Sequence, residues 1–399
     1  MDIINLIEEI LQITSKFIFS DIFILYLLIT IISIHLILFF IRDKNYISAL
    51  ENIKTVEPLS LQDFDNLPTV NIIVPAWKEG EIFNGCLLQI SKLSYPNLKV
   101  IVNAGGFNET INIANSFKKN DNFTIIYQKT GQGKIKAIND CLRHVSEGII
   151  YLIDADVILT DQIILNILYS LIYENNEVVV ARVKPHSSIQ NMDLVKYLEI
   201  NRNIDFLGSF SNKVNYTTQN TGIKHEVIKT IGKFSEGRLS DDGISMGSDI
   251  LSKGFQIHLI DKKVESFNYP YKIKDYFKQN LRWLGNYLYT PYKNRFLKTV
   301  KFFGLVLISI YIFISPFLLV FNINLFLIGL VMVLSSYLKR VRKTVFFKMT
   351  NSNENIKIST FFYIKLVLYI IIDLLMNIIV FIEIIFYRKA YKKRKNLFG

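Results

Sequence analysis

Asp154-Ala155-Asp156 follows directly on the apolar run 148–153, so two carboxylates stand at the end of what reads as a buried strand. A solvated turn is the default for Asp-x-Asp, but a carboxylate pair at the end of a buried strand needs a counter-charge. Mg²⁺ or Mn²⁺, held by one or two carboxylates and by diphosphate oxygens, supplies it. Upstream, Gly131-Gln132-Gly133-Lys134 opens a helix. It brings backbone N–H groups, a helix N-terminus and a cation to one point, which favours phosphate. A Gly-x-Gly-Lys is weak alone and gains value from its place ahead of the strand that ends in Asp154.

Trp is scarce, and both copies, Trp77 and Trp283, fall beside other candidates. Trp77 stands in Pro75-Ala76-Trp77-Lys78-Glu79, after the first apolar strand, where a packing role competes with a wall for a base-binding crevice. Gln279, Arg282 and Trp283 are three and four apart, so a helix puts them on one face. An interfacial helix before a membrane span also carries Trp and Arg as anchors. Six tyrosine and phenylalanine residues between 269 and 289 already supply that belt, which frees Trp283 to stack on a sugar and Arg282 to meet phosphate.

These residues need elements to position them. Strands are expected at 70–74, 98–102, 123–127, 149–153 and 178–183, with helices at 82–93, 110–117, 134–145 and 161–173. Such alternation implies right-handed crossovers and a parallel sheet that binds ligands at the carboxyl ends of its strands. Pro75, Asn103 and Asp154 all fall at such ends. Beyond Asp156 the alternation loosens into a polar-aromatic stretch reaching 216.

Half of the 399 residues are hydrophobic, too apolar for an ordinary soluble enzyme and right for one domain plus several spans. The run 21–41 is long enough to cross a bilayer. Glu8 and Glu9 stand where a cleaved leader would be basic, so an anchor that stays is expected. The layout expected is an N-terminal segment 1–20, a transmembrane helix 21–41, a linker 42–68, a catalytic domain 69–270 and an interfacial amphipathic region 271–300. A transmembrane hairpin 302–338, a basic loop 339–360, a helix 361–387 and a basic tail 388–399 follow.

Of the net charge of +12, six basic residues lie at 339–357 and six at 388–395, flanking spans. Juxtamembrane clusters of this kind gain about 1 kcal/mol per residue beside anionic lipid, so the bilayer is the expected partner and nucleic acid is not. A cytoplasmic domain, favoured by Arg42 and Lys44, puts one basic cluster on each side and leaves the positive-inside rule tied. Either 361–387 does not fully cross or 302–338 crosses only once. Cys86 and Cys141 lack metal-ligand spacing and read as core thiols.

The residues together resemble the processive membrane glycosyltransferases of family 2, the group of cellulose, hyaluronan and poly-N-acetylglucosamine synthases. The resemblance runs from 70 to 283 and implies an α/β nucleotide-diphospho-sugar transferase domain (GT-A, Rossmann-like) flanked by transmembrane helices in the cell membrane. It rests on Pro75 and Glu79 of a Pro-x-x-x-Glu pattern, and on Gly133, Lys134, Ala137 and Asn139 of Gly-Lys-x-x-Ala-x-Asn, all implied to lie around the donor. Asp154 and Asp156 match the metal-binding Asp-x-Asp. Ser240-Asp241-Asp242 stands for Thr-Glu-Asp, making Asp242 the implied general base, and Gln279, Arg282 and Trp283 the implied binders of acceptor end and diphosphate.

One departure matters. The family's Asp-Asp-x-Ser, whose first acid contacts uracil, is Asn103-Ala104-Gly105-Gly106 here, which opens the choice of nucleotide. The expected activity is inverting, metal-dependent transfer of a hexosyl unit from a nucleotide-diphosphate sugar to a growing polysaccharide. Transfer of one sugar to a lipid-linked acceptor, or a non-catalytic membrane scaffold, are the rivals. Four spans make a lean channel, which points to a second copy or a membrane partner.

Overall fold

The computed structural model describes residues 21–51, 59–207, 218–236, 242–289, 295–351 and 358–386. They fall into two compact units, one containing Glu51–Arg295 and the other drawn from Met1–Leu50 and Phe296–Ile382.

The first unit is built on an eight-stranded sheet in the order β3-β2-β1-β4-β7-β6-β8-β5. Its strands are β1 (Val70–Trp77), β2 (Leu98–Gly105), β3 (Phe123–Gln128), β4 (Ile149–Ile153), β5 (Val157–Ile158), β6 (Val178–Pro185), β7 (Asn220–Lys224) and β8 (Ile257–Ser266). Helices α2 (Glu81–Ile90), α3 (Asn108–Ser116), α4 (Gly133–Leu142) and α5 (Asp161–Ile172) alternate with the early strands, as the hydrophobic pattern predicts. Strands β3, β2, β1 and β4 are parallel.

The wholly parallel sheet is corrected beyond that point. Strand β7 runs antiparallel between β4 and β6, and β5 is antiparallel to β8. The loosened stretch after Asp156 holds helix α6 (Asp193–Leu207) and β7, followed by α7 (His225–Ile231) and α8 (Asp242–Ser252). A last helix, α9 (Ile273–Tyr289), carries the Gln279 to Trp283 motif.

Alternation along each strand divides the core between the two faces of the sheet. Ile72, Val74, Tyr151 and Ile153 join one cluster with Phe83 and Cys86. Ile73, Ile150 and Leu152 join the other with Ile138 and Cys141. The two cysteines are therefore buried free thiols in separate clusters, as expected.

The second unit contains α1 (Asp21–Glu51), α10 (Arg295–Leu318), α11 (Ile323–Thr350) and α12 (Thr360–Phe386). Among the described residues four helices are long and apolar enough to cross a membrane: Ile22–Ile41, Thr299–Leu318, Ile323–Thr350 and Thr360–Glu383. Two expected boundaries are corrected. Helix α1 continues ten residues into the expected linker, and the expected basic loop is helical as far as Thr350. Charge marked the end of the apolar run there, while the backbone had no Gly or Pro to stop it.

The added turns are held by charge pairing, since Arg342 is bonded to Asp43 of α1 and Arg340 to Asp373 of α12 at 2.6 Å. Helix α12 buries Phe362, Leu366, Tyr369, Ile370, Met376 and Val380 at helical spacing, and Asp373 and Asn377 fall on the same stripe. Asn377 donates to Ser309 of α10 at 3.2 Å. Pro316 leaves the Ile312 carbonyl without its usual helical donor, and the Ser315 hydroxyl takes that place at 2.9 Å.

Candidate active site at the carboxyl ends of the strands

Strand β4 delivers Asp154 and Asp156. Its five residues are all buried, and the chain turns sharply after Ile153, where the Val157 N–H bonds the Asp154 carbonyl at 3.2 Å. The register then decides the neighbours. Antiparallel pairing of Ile153 with Asn220 brings the lead-in to β7 alongside the turn, and pairing of Val157 with Ser266 brings the end of β8 to Asp156.

Lys134, in the first turn of α4, reaches this turn from the other side. Its ammonium bonds the Asp154 carboxylate and the Thr218 hydroxyl, the latter at 2.6 Å. Thr218 is buried and went unnoticed in the sequence, because nothing local marks it; only the β4–β7 register places it here.

Burial, then the charges of Asp154 and Glu79, push the Asp156 carboxyl up to about 7, with Lys134 and the Ser266 hydroxyl opposing. Glu79, just past β1, is raised too, first by burial and then by Asp154, with Lys134 opposing. Three carboxyl groups thus share one neighbourhood with a single ammonium, which is bonded to Asp154, and acidic groups outnumber basic ones there. Hard oxygen donors in that state fit Mg²⁺ or Mn²⁺. Among the described residues no group of three or more His, Cys, Asp or Glu forms a ready cage. Asp154 and Asp156 are the residues that could hold such a cation.

The remaining expectations divide. Trp77 packs its indole over the glycines that end β2: a Cβ on Gly105 would lie 2.8 Å from the ring and 2.6 Å from the Gln128 carbonyl. Its Nε1 is buried without a partner. Gly106 has φ +93°, and its Cβ would meet Lys78 at 2.5 Å. The departure at 103–106 is thus the surface on which Trp77 rests. Pro75 lies within β1, paired with Asn103. Asn103 is buried, donates to the Ala137 carbonyl at 3.1 Å and leaves Oδ1 without a partner. It borders a cavity of about 340 Å³ shared with Gln132, Lys136 and Asp140 beside α4. Gly133, at φ +73°, opens that helix.

Asn139 is a support. It accepts from the Phe234 N–H at 3.0 Å, and donates to the Phe234 carbonyl and to Glu236 at 2.9 Å each. Ser235 is pinned in turn by Asp249 of α8, at 2.7 and 3.0 Å. This segment precedes Asp242, whose backbone opens α8; Asp241 and the Asp242 side chain lie outside the described residues.

Gln279, Arg282 and Trp283 all lie on α9, at the spacing of three and four expected. Gln279 and Trp283 turn toward Arg202 of α6, whereas Arg282 is exposed. Arg202 was not singled out in the sequence, where an arginine inside a polar helix carries no signal.

Residues 68–286, more than half of the chain, match the sequence profile of glycosyltransferase-like family 2. The chain belongs to that family. It is a glycosyltransferase, with the α/β fold of that group. A poly-β-1,6-N-acetyl-D-glucosamine synthase of Staphylococcus epidermidis is 22% identical over 260 residues, covering 61% of this chain and 59% of that protein. The match thus spans less than two thirds of that relative.

Among solved structures, a mannosyltransferase of Pyrobaculum calidifontis in complex with GDP-Man and Mn²⁺ overlaps with TM-score 0.49 at 17% identity, over 70% of this chain and 76% of that one. S. aureus TarS in complex with UDP-GlcNAc overlaps with TM-score 0.38 at 14% identity, over 58% and 69%. Neither overlap is close enough to transfer a residue role.

Proposed function

We propose that this family 2 glycosyltransferase moves a hexosyl unit from a nucleotide-diphosphate sugar to a growing polysaccharide at a membrane, with inversion at the anomeric carbon. The observation that carries the reading is the bond of the Lys134 ammonium to Asp154 at the carboxyl end of β4, with Glu79 and Asp156 near enough for their carboxyls to be raised by burial and by neighbouring carboxylates. That place takes a diphosphate with its cation: α4 offers its N-terminus and Lys134, and the two aspartates offer carboxylates.

The donor's diphosphate lies against Lys134 and the start of α4, and its base toward Asn103 and Trp77. Asp242 takes the proton from an acceptor hydroxyl, whose oxygen attacks the anomeric carbon as the nucleoside diphosphate departs on the opposite side. Arg282, exposed on α9, meets the leaving diphosphate, and Trp283 with Gln279 receives the acceptor end. A bound Mg²⁺ or Mn²⁺ supplies charge neutralisation to the leaving group. A positioned base contributes about 10²- to 10⁴-fold, with the rest from orientation and electrostatics.

The relative's name supports a polymeric product, the four candidate spans among the described residues support a membrane enzyme, and Arg42 and Lys44 after the first span support a catalytic domain on the cytoplasmic side. Incubating the detergent-solubilised full chain with Mn²⁺ and radiolabelled UDP-, GDP- and dTDP-sugars, then sizing the product, tests this. A long polymer from one donor is expected. A single added residue on lipid would replace the polymerase reading with a carrier transferase.

A further inference from the structure

A continuous line of polar contacts leaves the Asp154–Asp156 turn and ends on α9. The Phe267 N–H donates to the Asp156 carbonyl at 3.0 Å, and the Ser266 hydroxyl makes a long contact of 3.4 Å to the Asp156 carboxylate. The Asn268 N–H donates to that hydroxyl at 3.0 Å. The Asn268 side chain then accepts from Gln279 Nε2 at 3.0 Å.

Arg202 closes the line from α6. One terminal nitrogen of its guanidinium donates to the Asn268 carbonyl at 2.8 Å, and the other to Gln279 Oε1 at 3.0 Å. The guanidinium carbon lies 4.2 Å from the centre of the Tyr269 ring and 5.0 Å from that of Trp283. Tyr269 is itself fixed, buried and bonded through its hydroxyl to the Val183 carbonyl at 2.8 Å.

Only a planar fork meets all four demands at once. A lysine ammonium can serve one or two acceptors but presents no flat face to two rings, so the exchange is not conservative here. Both terminal nitrogens of Arg202 are committed to protein oxygens, which makes the residue a support for its neighbours.

We propose that Arg202 is a positioning residue for transfer. It fixes Gln279 and Trp283 relative to the 266–268 segment, and that segment hangs on Asp156, so engagement of the diphosphate and cation at Asp156 is transmitted to the indole of Trp283. This rests on the glycosyltransferase reading above. A displacement of about 1 Å in a positioning group costs on the order of 10²-fold in rate, which sets the scale of the effect.

The test is fluorine NMR of the full chain labelled with 5-fluorotryptophan. The two tryptophans give two resonances, assigned with Trp283→Phe, and Trp77 serves as an internal check that the catalytic domain is folded. The titrant is Mg²⁺ with UDP, GDP or dTDP. In the wild type the Trp283 resonance shifts on titration. In Arg202→Lys it moves before any ligand is added and loses its response, while nucleotide affinity stays within about threefold and kcat falls about 10- to 100-fold. Asn268→Ala, which cuts the link to Gln279 but keeps the carbonyl that Arg202 bonds, loses the response in the same direction and carries the test if the lysine variant does not fold. Wild-type response and kcat in both variants would overturn the proposal. A wild type that binds none of the nucleotides and transfers no sugar would instead overturn the reading beneath it.

Discussion

Asn139→Ala removes a side chain that the family pattern places around the donor and that the structure uses to hold the approach to Asp242. Asn139 makes three hydrogen bonds, two of them to the backbone of Phe234, which is fully buried. Truncation leaves that N–H and that carbonyl unpaired, at about 1–3 kcal/mol each. Local opening of this segment should therefore become easier by roughly 2–6 kcal/mol, and at 1.4 kcal/mol per decade that is roughly 30- to 20,000-fold. Hydrogen exchange of the Phe234 amide, followed by mass spectrometry on the full chain in detergent, reads this directly. Turnover should fall about tenfold or more with nucleotide affinity kept, because the bonds of Asn139 hold the segment that leads to Asp242. Asn139→Asp should do no better, since it keeps the acceptor for the Phe234 N–H but turns a carboxylate toward the Phe234 carbonyl and Glu236. The reasoning fails if the Ala variant exchanges at the wild-type rate, or if it loses nucleotide binding before it loses protection.

Three further outcomes are expected. Burial and neighbouring carboxylates raise Asp156 to about 7, and a proton there competes with a cation; Mn²⁺ affinity in the presence of UDP should be flat above about pH 8 and fall about tenfold per unit well below 7, by calorimetry, with Asp156→Asn weak and pH-independent. Gly105→Ala should destabilise the catalytic domain by about 1–3 kcal/mol and disturb the Trp77 environment, because the new Cβ meets the Gln128 carbonyl and the indole; an unchanged melting temperature and Trp77 signal would count against the packing described. Asp373→Ala should lower the melting temperature in detergent by removing the carboxylate that the half-buried Arg340 guanidinium meets, a cost of about 1–3 kcal/mol, and the exchange Arg340→Asp with Asp373→Arg should recover most of it.

The early strands were legible because β-branched runs alternate with helical spacing between turn residues, and no tertiary contact contradicts them. Strand β7 was not, since Asn220-Thr221-Gly222-Ile223-Lys224 has little strand character alone and is held by pairing on both sides with β4 and β6. Thr218 and Arg202 escaped for the same reason: their partners are 84 and 77 residues away in sequence. The Asp-x-Asp pair and Lys134 were legible because their meaning lies in position relative to a strand end and a helix start, both local features. The resemblance places Asn139 around the donor, whereas its bonds to Phe234 and Glu236 were not legible, because those partners are 95 and 97 residues away in sequence. In α1 and α11 hydropathy located where the apolar run stops, whereas helices end where capping, Gly or Pro ends them, and here ion pairs carry the backbone further.

The most direct test of the account is release of nucleoside diphosphate from a nucleotide sugar by the wild type and by Asp242→Asn, with donor affinity measured in parallel. The account predicts turnover in the wild type with Mn²⁺ present, and in Asp242→Asn an unchanged affinity with turnover reduced by about 10²-fold or more. Comparable turnover in Asp242→Asn, or none in the wild type with any donor, would contradict it.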